Sequence, residues 1–388
     1  VLFAAAVAAF FAARWWMRPK PEPPAQPLAF TERSADPALW AKRFPFEHEG
    51  YRQGVRAPDF AEVRGHAYSL REREETDRVS DPRLMRIYSG RPKERPQPAA
   101  CLACHGASMD FFRRMGAGAS RMPFFEARNE VRYPVACIDC HDPASMRLRL
   151  TRPAFLEARP SASATEHELR ALVCAQCHAE YYLAGEARKV THPWANGLSA
   201  DAIEQYYDKL AYRDWDHAET GAPVLKAQHP QFEMWSQGVH SRSGVACADC
   251  HMPRERRGAI HLTVHATASP RRTIERSCLP CHRADAREML ARLDAIQSRT
   301  NKLAERALTA LLALFDDVQR ARLAGVAPAG LREAQALHRK AQWRFDFVQA
   351  DRSRGFHAPQ ETVRLLAEAI DYSRQGQLAL QKLKPNSP

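Results

Sequence analysis

The chain has 388 residues, 45% of them hydrophobic and 26% charged, and its 57 Lys and Arg outnumber 45 Asp and Glu for a formal charge of +12. That apolar content excludes a disordered tail, which could not build an interior. All ten cysteines lie in five CxxCH units, leaving none for a disulfide, so a stapled secreted module, a zinc ribbon and an ordinary cytosolic enzyme are poor readings.

Taken in chain order, Val1 to Ala13 is almost wholly apolar and is followed by Arg14-Trp15-Trp16-Met17-Arg18 and a proline-rich stretch from Pro19 to Pro27. Thirteen apolar residues are too few to cross a bilayer. Continued upstream, residues 1–27 are expected to form a membrane anchor with a Pro-rich linker, the tryptophans and arginines sitting at the interface. A cleaved signal peptide is the alternative. Either segment exports the protein, which is expected in the periplasm, tethered to the cytoplasmic membrane.

Residues 28–282 carry the five units: Cys101, Cys104 and His105; Cys137, Cys140 and His141; Cys174, Cys177 and His178; Cys247, Cys250 and His251; Cys278, Cys281 and His282. Each is a c-type haem attachment site, in which two thiols one turn apart form thioethers to one haem and the adjacent imidazole becomes the proximal iron ligand. A single such unit could be a redox dithiol or half a zinc site. Five copies that use every cysteine fit neither, because two cysteines and one histidine leave zinc short of four ligands. Five covalently bound haems in a chain of this length fill much of the interior, which accounts for the proline-rich, loop-rich connections. Haem is attached in this way outside the cytoplasm, in keeping with the exported reading.

From residue 283 to 388 the texture changes. Leu293, Ile296, Leu303, Ala307, Leu311, Leu314 and Val318 recur at helical spacing, predicting one long helix. Gly325, Pro328 and Gly330 interrupt it; Leu331, Ala334, Leu337, Ala341, Phe345 and Val348 predict a second, and a third is expected to begin near Pro359. These helices either pack on the haem region or pair two chains as a homodimer. The fold class is therefore mainly α, a loop-rich haem-wrapping domain followed by long helices. The basic balance shows no zinc-finger, RNA-recognition or basic-helix pattern, so nucleic acid is not an expected partner; a positive field would instead draw in a small anion.

Between the units, several segments are diagnostic: Arg64-Gly-His66-Ala-Tyr68, the CAQCHAEYY run from Cys174 to Tyr182, Gln205 to Lys209 (QYYDK) and Leu225 to Pro230 (LKAQHP). Trp235 to His240 (WSQGVH), Cys247 to Pro253 (CADCHMP), Ala341 to Arg344 (AQWR) and His357-Ala-Pro359 follow in order. In this order and at these separations the chain, from about residue 44 to 380, resembles the pentahaem, ammonia-forming cytochrome c nitrite reductases.

The resemblance implies a catalytic haem with an open distal position at Cys101 to His105, and four bis-histidine haems that carry electrons. It implies distal ligands His66 for the third haem, His265 for the second, His357 for the fourth and His240 for the fifth, with His261 a competitor for His265. Above the open iron it implies Arg78, Tyr181 and His229, groups able to bind an anion and supply protons as its oxygens leave as water. It further implies a calcium ion held by Glu180, the Tyr181 and Lys226 carbonyls and Gln228, oxygen donors that suit this cation; the neighbouring Asp214-Trp-Asp216 segment could equally be a solvated turn.

One departure stands out: the familiar catalytic unit is CxxCK, whereas this chain has His105 in the lysine position, as in a histidine-bearing branch of the family. A different axial donor changes the iron's potential and its hold on nitrogen ligands. The expected activity is six-electron reduction of nitrite to ammonium, with a membrane quinol-oxidising or small multihaem cytochrome c as donor. Hydroxylamine, nitric oxide, sulfite or tetrathionate are alternative substrates. A conduit without catalysis is the other alternative, and it would need His48, His192, His217 or His261 to cap the first haem.

Overall fold

The computed structural model describes residues 30–56, 63–74, 81–92, 97–159 and 164–383. As far as residue 282 the chain forms short helices joined by irregular loops. Those that bear on the site are α1 (Pro82–Ile87), α2 (Glu166–Ala175) and α3 (Ala200–Lys209). Each starts on a side-chain cap: Asp81 accepts Arg83 N at 2.9 Å, Thr165 accepts Glu168 N at 3.2 Å, and Ser199 accepts Ala202 N at 3.1 Å, which satisfies amide donors that short helices otherwise leave open.

Strands occur as antiparallel pairs: β1 (Val55–Arg56) with β2 (Val63–Arg64), β3 (Tyr182–Ala184) with β4 (Lys189–Thr191), β5 (Trp215–Asp216) with β6 (Pro223–Val224), and β7 (Arg254–Arg257) with β8 (Ile260–Thr263). None of them builds a larger sheet among the described residues.

The carboxyl-terminal quarter folds as three long helices. The first, α4 (Ala286–Leu323), is capped by Asp285, which accepts Glu288 N at 2.7 Å, and it buries Leu293, Ala307, Leu311, Leu314 and Val318 from the stripe read in the sequence. Each such leucine contributes roughly 1.5–3 kcal/mol when fully buried. The second helix, α5 (Pro328–Asp351), starts at Pro328. The break between the two is therefore shorter than the sequence implied: Gly325 turns the chain at φ 80°, but Gly330 lies inside the first turn of α5, where its missing Cβ leaves room for Val326 and Leu383. The third helix, α6, spans Pro359–Gln381. Where α6 crosses α4, Gly376 lies against Leu314 so closely that a Cβ there would clash.

Helix α5 departs most from expectation. An amphipathic stripe predicts one dry face, yet residues 341–348 are buried all round, because α5 lies between α4 and α6 on one side and α3 on the other. Trp343 meets Tyr207 edge-on at 5.8 Å and donates to the Ala200 carbonyl at 2.9 Å. The polar residues thus enclosed are all paired. Arg344 contacts Asp201 at 2.7 Å, Glu204 at 2.9 Å and Glu368 at 2.6 Å, tying α3, α5 and α6 together. One hydrophobic core runs through α3, α4, α5 and α6, so the long helices share an interior with the region of short helices that precedes them. No helix among the described residues is long and apolar enough to cross a membrane, and the segment read as an anchor, residues 1–27, lies outside them.

Candidate functional site

Four of the five units place their cysteines on a helical turn. Leu102–His105, Cys137–Cys140 and Cys247–His251 are single-turn helices, and Cys174 lies in the last turn of α2 with His178 N donating to its carbonyl at 2.8 Å. The fifth follows the helix Ile274–Ser277, and Cys281 N closes a turn on Cys278 O at 3.1 Å. Thiols at i and i+3 then share one face, the presentation that two thioether bonds to one porphyrin require. In the second and fourth units the intervening Asp139 and Asp249 each accept an amide proton, from Ala136 and Ala246, at 2.8 Å, which fixes the start of the turn.

The ten cysteines form no disulfide and line one cavity of about 2420 Å³, well above the roughly 300–1,000 Å³ of an ordinary ligand pocket. His105, His141, His178, His251 and His282 line it too, as do His66, His240, His265 and His357. Across the cavity the imidazoles pair: His66 with His178 at 6.4 Å between ring centres, His141 with His265 at 6.2 Å, His251 with His357 at 6.3 Å, and His240 with His282 at 6.3 Å. Two metal–nitrogen bonds of about 2 Å, with the ring radius on each side, sum to about 6 Å. The paired rings therefore fit an iron between them, and the thiol pairs fit the covalent attachment of haem c.

Burial pushes His66, His141, His178, His240, His251 and His265 below the ordinary imidazole range, which keeps them neutral, the form a metal needs. Most Nδ1 atoms with a defined partner meet main-chain carbonyls: His105 meets Ser69 O at 3.1 Å, His141 Met146 O at 2.8 Å, His251 Ala268 O at 3.0 Å and His265 Thr263 O at 2.9 Å. His261, the competitor for His265, is exposed on β8 opposite Arg256.

The first and third units adjoin, the Cys104 and Cys177 side chains lying against each other and against Arg152. Beside them Arg152, 4% exposed, pairs with Asp139 at 3.0 Å and donates to the Gly106 carbonyl at 3.1 Å. It is a buried cation that the sequence reading did not single out, being one arginine among many. Here too are Tyr181 and His229, their rings nearly parallel (13°) with centres 6.4 Å apart, and His229 stands 6.4 Å from His178 at a steep angle. Burial first, with the Arg352 charge adding to it, holds His229 well below the ordinary imidazole range. Arg78 lies outside the described residues.

Of the four histidines considered as caps for the first unit, His192 is held by Glu180 O at 2.8 Å and stacks on Trp194, while His217 bonds Arg86 O at 2.7 Å against Phe315. Neither lines the cavity. His48 and His261 do line it: His48 lies on the helix Pro45–Arg52, whose Gly50 abuts the backbone of His265, the partner of His141, and His261 is exposed on β8.

Behind Tyr181 the buried Glu180 carboxylate accepts Gln228 N at 2.6 Å, and Glu180 N donates to Glu233 at 2.8 Å. Lys226 N donates to Asp214 at 2.8 Å. Burial, with the Glu233 and Asp214 charges adding to it, pushes the Glu180 carboxyl well up. No three His, Cys, Asp or Glu side chains among the described residues form a ready metal cluster, so a cation here would depend on carbonyl and amide oxygens as well as Glu180.

The chain matches the family model described as Cytochrome c552 over residues 41–387. It is 36% identical over 336 residues to a cytochrome c-552 of Parabacteroides distasonis and 34% identical over 335 residues to one of Bacteroides thetaiotaomicron, in each case with 84% of this chain and 66% of the relative aligned. It thus spans about two thirds of the length of these curated relatives. Its fold is similar to that of the catalytic subunit of the cytochrome c nitrite reductase of Desulfovibrio desulfuricans, a structure with two calcium sites, at a TM-score of 0.81 and 25% identity, covering 91% of this chain and 87% of that one. Thiol pairs presented on turns, paired imidazoles and a family match over nearly the whole chain agree with one another, and this protein belongs to the cytochrome c552 family.

Proposed function

We propose that this protein is a pentahaem nitrite reductase that forms ammonium at the haem of the Cys101/Cys104 unit, with electrons relayed by the haems of the other four units. The observation that carries the reading is the division of the cavity: four motif imidazoles each face a second imidazole at 6.2–6.4 Å, whereas Tyr181 and His229 stand together where the first and third units meet. The bound haems would supply the redox chemistry and the coordination of nitrite; the side chains handle its charge and protons. Converting nitrite to ammonium and two waters takes six electrons and eight protons. His229, neutral in its buried setting, accepts a proton at one ring nitrogen and passes one from the other, and the Tyr181 hydroxyl donates beside it. The Arg78 guanidinium binds the anion through its oxygens.

A calcium ion at Glu180, Gln228 and the Tyr181 and Lys226 carbonyls fits this reading, since it would offset the burial that disfavours the ionised Glu180 carboxylate. Chelation should then lower the thermal midpoint of the purified protein, and added calcium should restore it. We further place the protein in the periplasm as a membrane-tethered homodimer, supplied by a membrane quinol-oxidising or small multihaem cytochrome c.

The test is turnover of purified holoprotein with a reduced viologen donor, with ammonium measured directly. Nitrite is expected to yield stoichiometric ammonium, and Tyr181→Phe and His229→Ala should each lower kcat by at least tenfold. Faster turnover of hydroxylamine, nitric oxide, sulfite or tetrathionate would reassign the substrate, and no turnover of any of them would leave an electron conduit.

A further inference from the structure

His357 differs from His105, His141, His251 and His265 in what holds its second nitrogen. Nδ1 of His105, His141, His251 and His265 meets a backbone carbonyl. His357 Nδ1 instead lies 2.6 Å from Oδ1 of Asp351, a carboxylate 2% exposed at the end of α5. The contact is built into the chain. Directly after Asp351, Arg352, Arg354 and Gly355 all take left-handed backbone angles, φ 59°, 53° and 84°, a tight return that brings His357 back onto the helix end. Ser353 closes the loop: its hydroxyl donates to Asp351 Oδ2 and accepts His357 N at 3.1 Å. Both carboxylate oxygens therefore accept, as an ionised group does.

An imidazole whose Nδ1 proton is drawn toward a carboxylate is a stronger donor at Nε2, and a negative charge one ring away from an iron favours its oxidised state. A carbonyl dipole does the same more weakly. We infer that Asp351 is a positioning residue that holds the fourth haem at a lower reduction potential than it would have with a carbonyl partner, so that this site passes its electron on instead of storing it. The inference rests on the reading of His357 as the distal ligand opposite His251.

Redox titration of the purified holoprotein, followed by electron paramagnetic resonance and magnetic circular dichroism, tests it. Asp351→Asn, which keeps the shape and loses the charge, should move one low-spin haem to higher potential by at least a tenfold change in its reduced-to-oxidised ratio, 59 mV for a one-electron couple, with the other low-spin haems unmoved. Asp351→Glu, which keeps the charge, should stay near the parent value; a purely structural role would move both. Ser353→Ala, which removes a donor that shares the carboxylate's charge, should shift the same haem the opposite way, and it provides the measurement should Asp351→Asn fail to mature. His357→Ala separates the two claims. Loss of one low-spin signal in that variant, with no midpoint moved by Asp351→Asn or Ser353→Ala, overturns the inference. An unchanged low-spin count in His357→Ala overturns the ligand reading beneath it.

Discussion

The Tyr88 hydroxyl donates to the Asp346 carboxylate at 2.6 Å, and the same carboxylate receives Lys226 Nζ at 2.9 Å and the Ala227 amide at 2.8 Å. Asp346, 1% exposed on α5, thus clamps the turn after α1 to the strand of chain that leads into Gln228 and His229. Asp346→Ala strands a largely buried lysine charge and should cost about 3–5 kcal/mol in denaturant unfolding. Asp346→Asn keeps one acceptor, which can hold the Ala227 amide, while its Nδ2 can donate to the Tyr88 hydroxyl oxygen, and it should cost less. Because the clamp holds the His229 segment, ammonium formation should fall in both variants, chiefly through kcat. Unchanged kcat in Asp346→Ala would show that this wall of the site does not depend on the clamp.

Much of the haem scaffold could be read directly from the sequence, because CxxCH is a local motif whose chemistry fixes its spacing. The helices α4, α5 and α6 were also legible, since apolar periodicity survives wherever one face is dry. The partners His66, His265, His357 and His240 were not readable from the residues alone. His141 and His265 lie far apart in sequence, and only the resemblance to a known family selected them. The polar side of α5 escaped altogether. His338, Gln342 and Asp346 follow at helical spacing, which an amphipathic reading assigns to solvent, but the structure buries them. There Gln342 donates to Ile87 O at 3.0 Å and His338 bonds Thr220 at 2.9 Å. A helix enclosed on both sides announces itself by paired polar groups, and pairing is a property of tertiary structure.

The rivalry between His261 and His265 has a direct spectroscopic answer. His265 stands 6.2 Å from His141, with its Nδ1 fixed on Thr263 O, while His261 is exposed on a hairpin. His265→Ala should convert one low-spin haem to high spin, and His261→Ala should leave the spectrum of the holoprotein unchanged. The reverse pattern would exchange their roles.

Gly238 couples two of the histidine pairs, His240 with His282 and His251 with His357. The His357 carbonyl packs directly on its Cα, within the volume a Cβ would occupy, two residues before His240. Gly238→Ala must therefore push apart the backbones that carry His240 and His357. Overpacking of this kind costs about 1–3 kcal/mol, and here the displacement falls on two imidazoles together. Two low-spin signals should broaden or shift in the variant while those of the second and third haems hold. A spectrum matching the parent would mean that the crossing relaxes without moving either ring.

Glu233 makes stability depend on pH in a sense opposite to most carboxylates. Its side chain is fully buried, accepting Glu180 N at 2.8 Å and Trp194 Nε1 at 2.7 Å, and burial pushes its pKa up from the ordinary carboxylate value to about 8. Between roughly pH 4.5 and 8 the folded protein holds a proton that the unfolded chain releases, so the native state binds more protons and stability falls as pH rises. The contribution is complete below the unfolded value and gone above about pH 8. Glu233→Gln, a neutral side chain of the same shape, carries no such penalty. Its thermal midpoint in calcium-free buffer should match the parent near pH 5 and exceed it near pH 8, by an amount corresponding to a few kcal/mol. Parallel curves for the two proteins across that interval would mean that Glu233 is already ionised in the fold, with a positive charge near it that these neighbours do not supply.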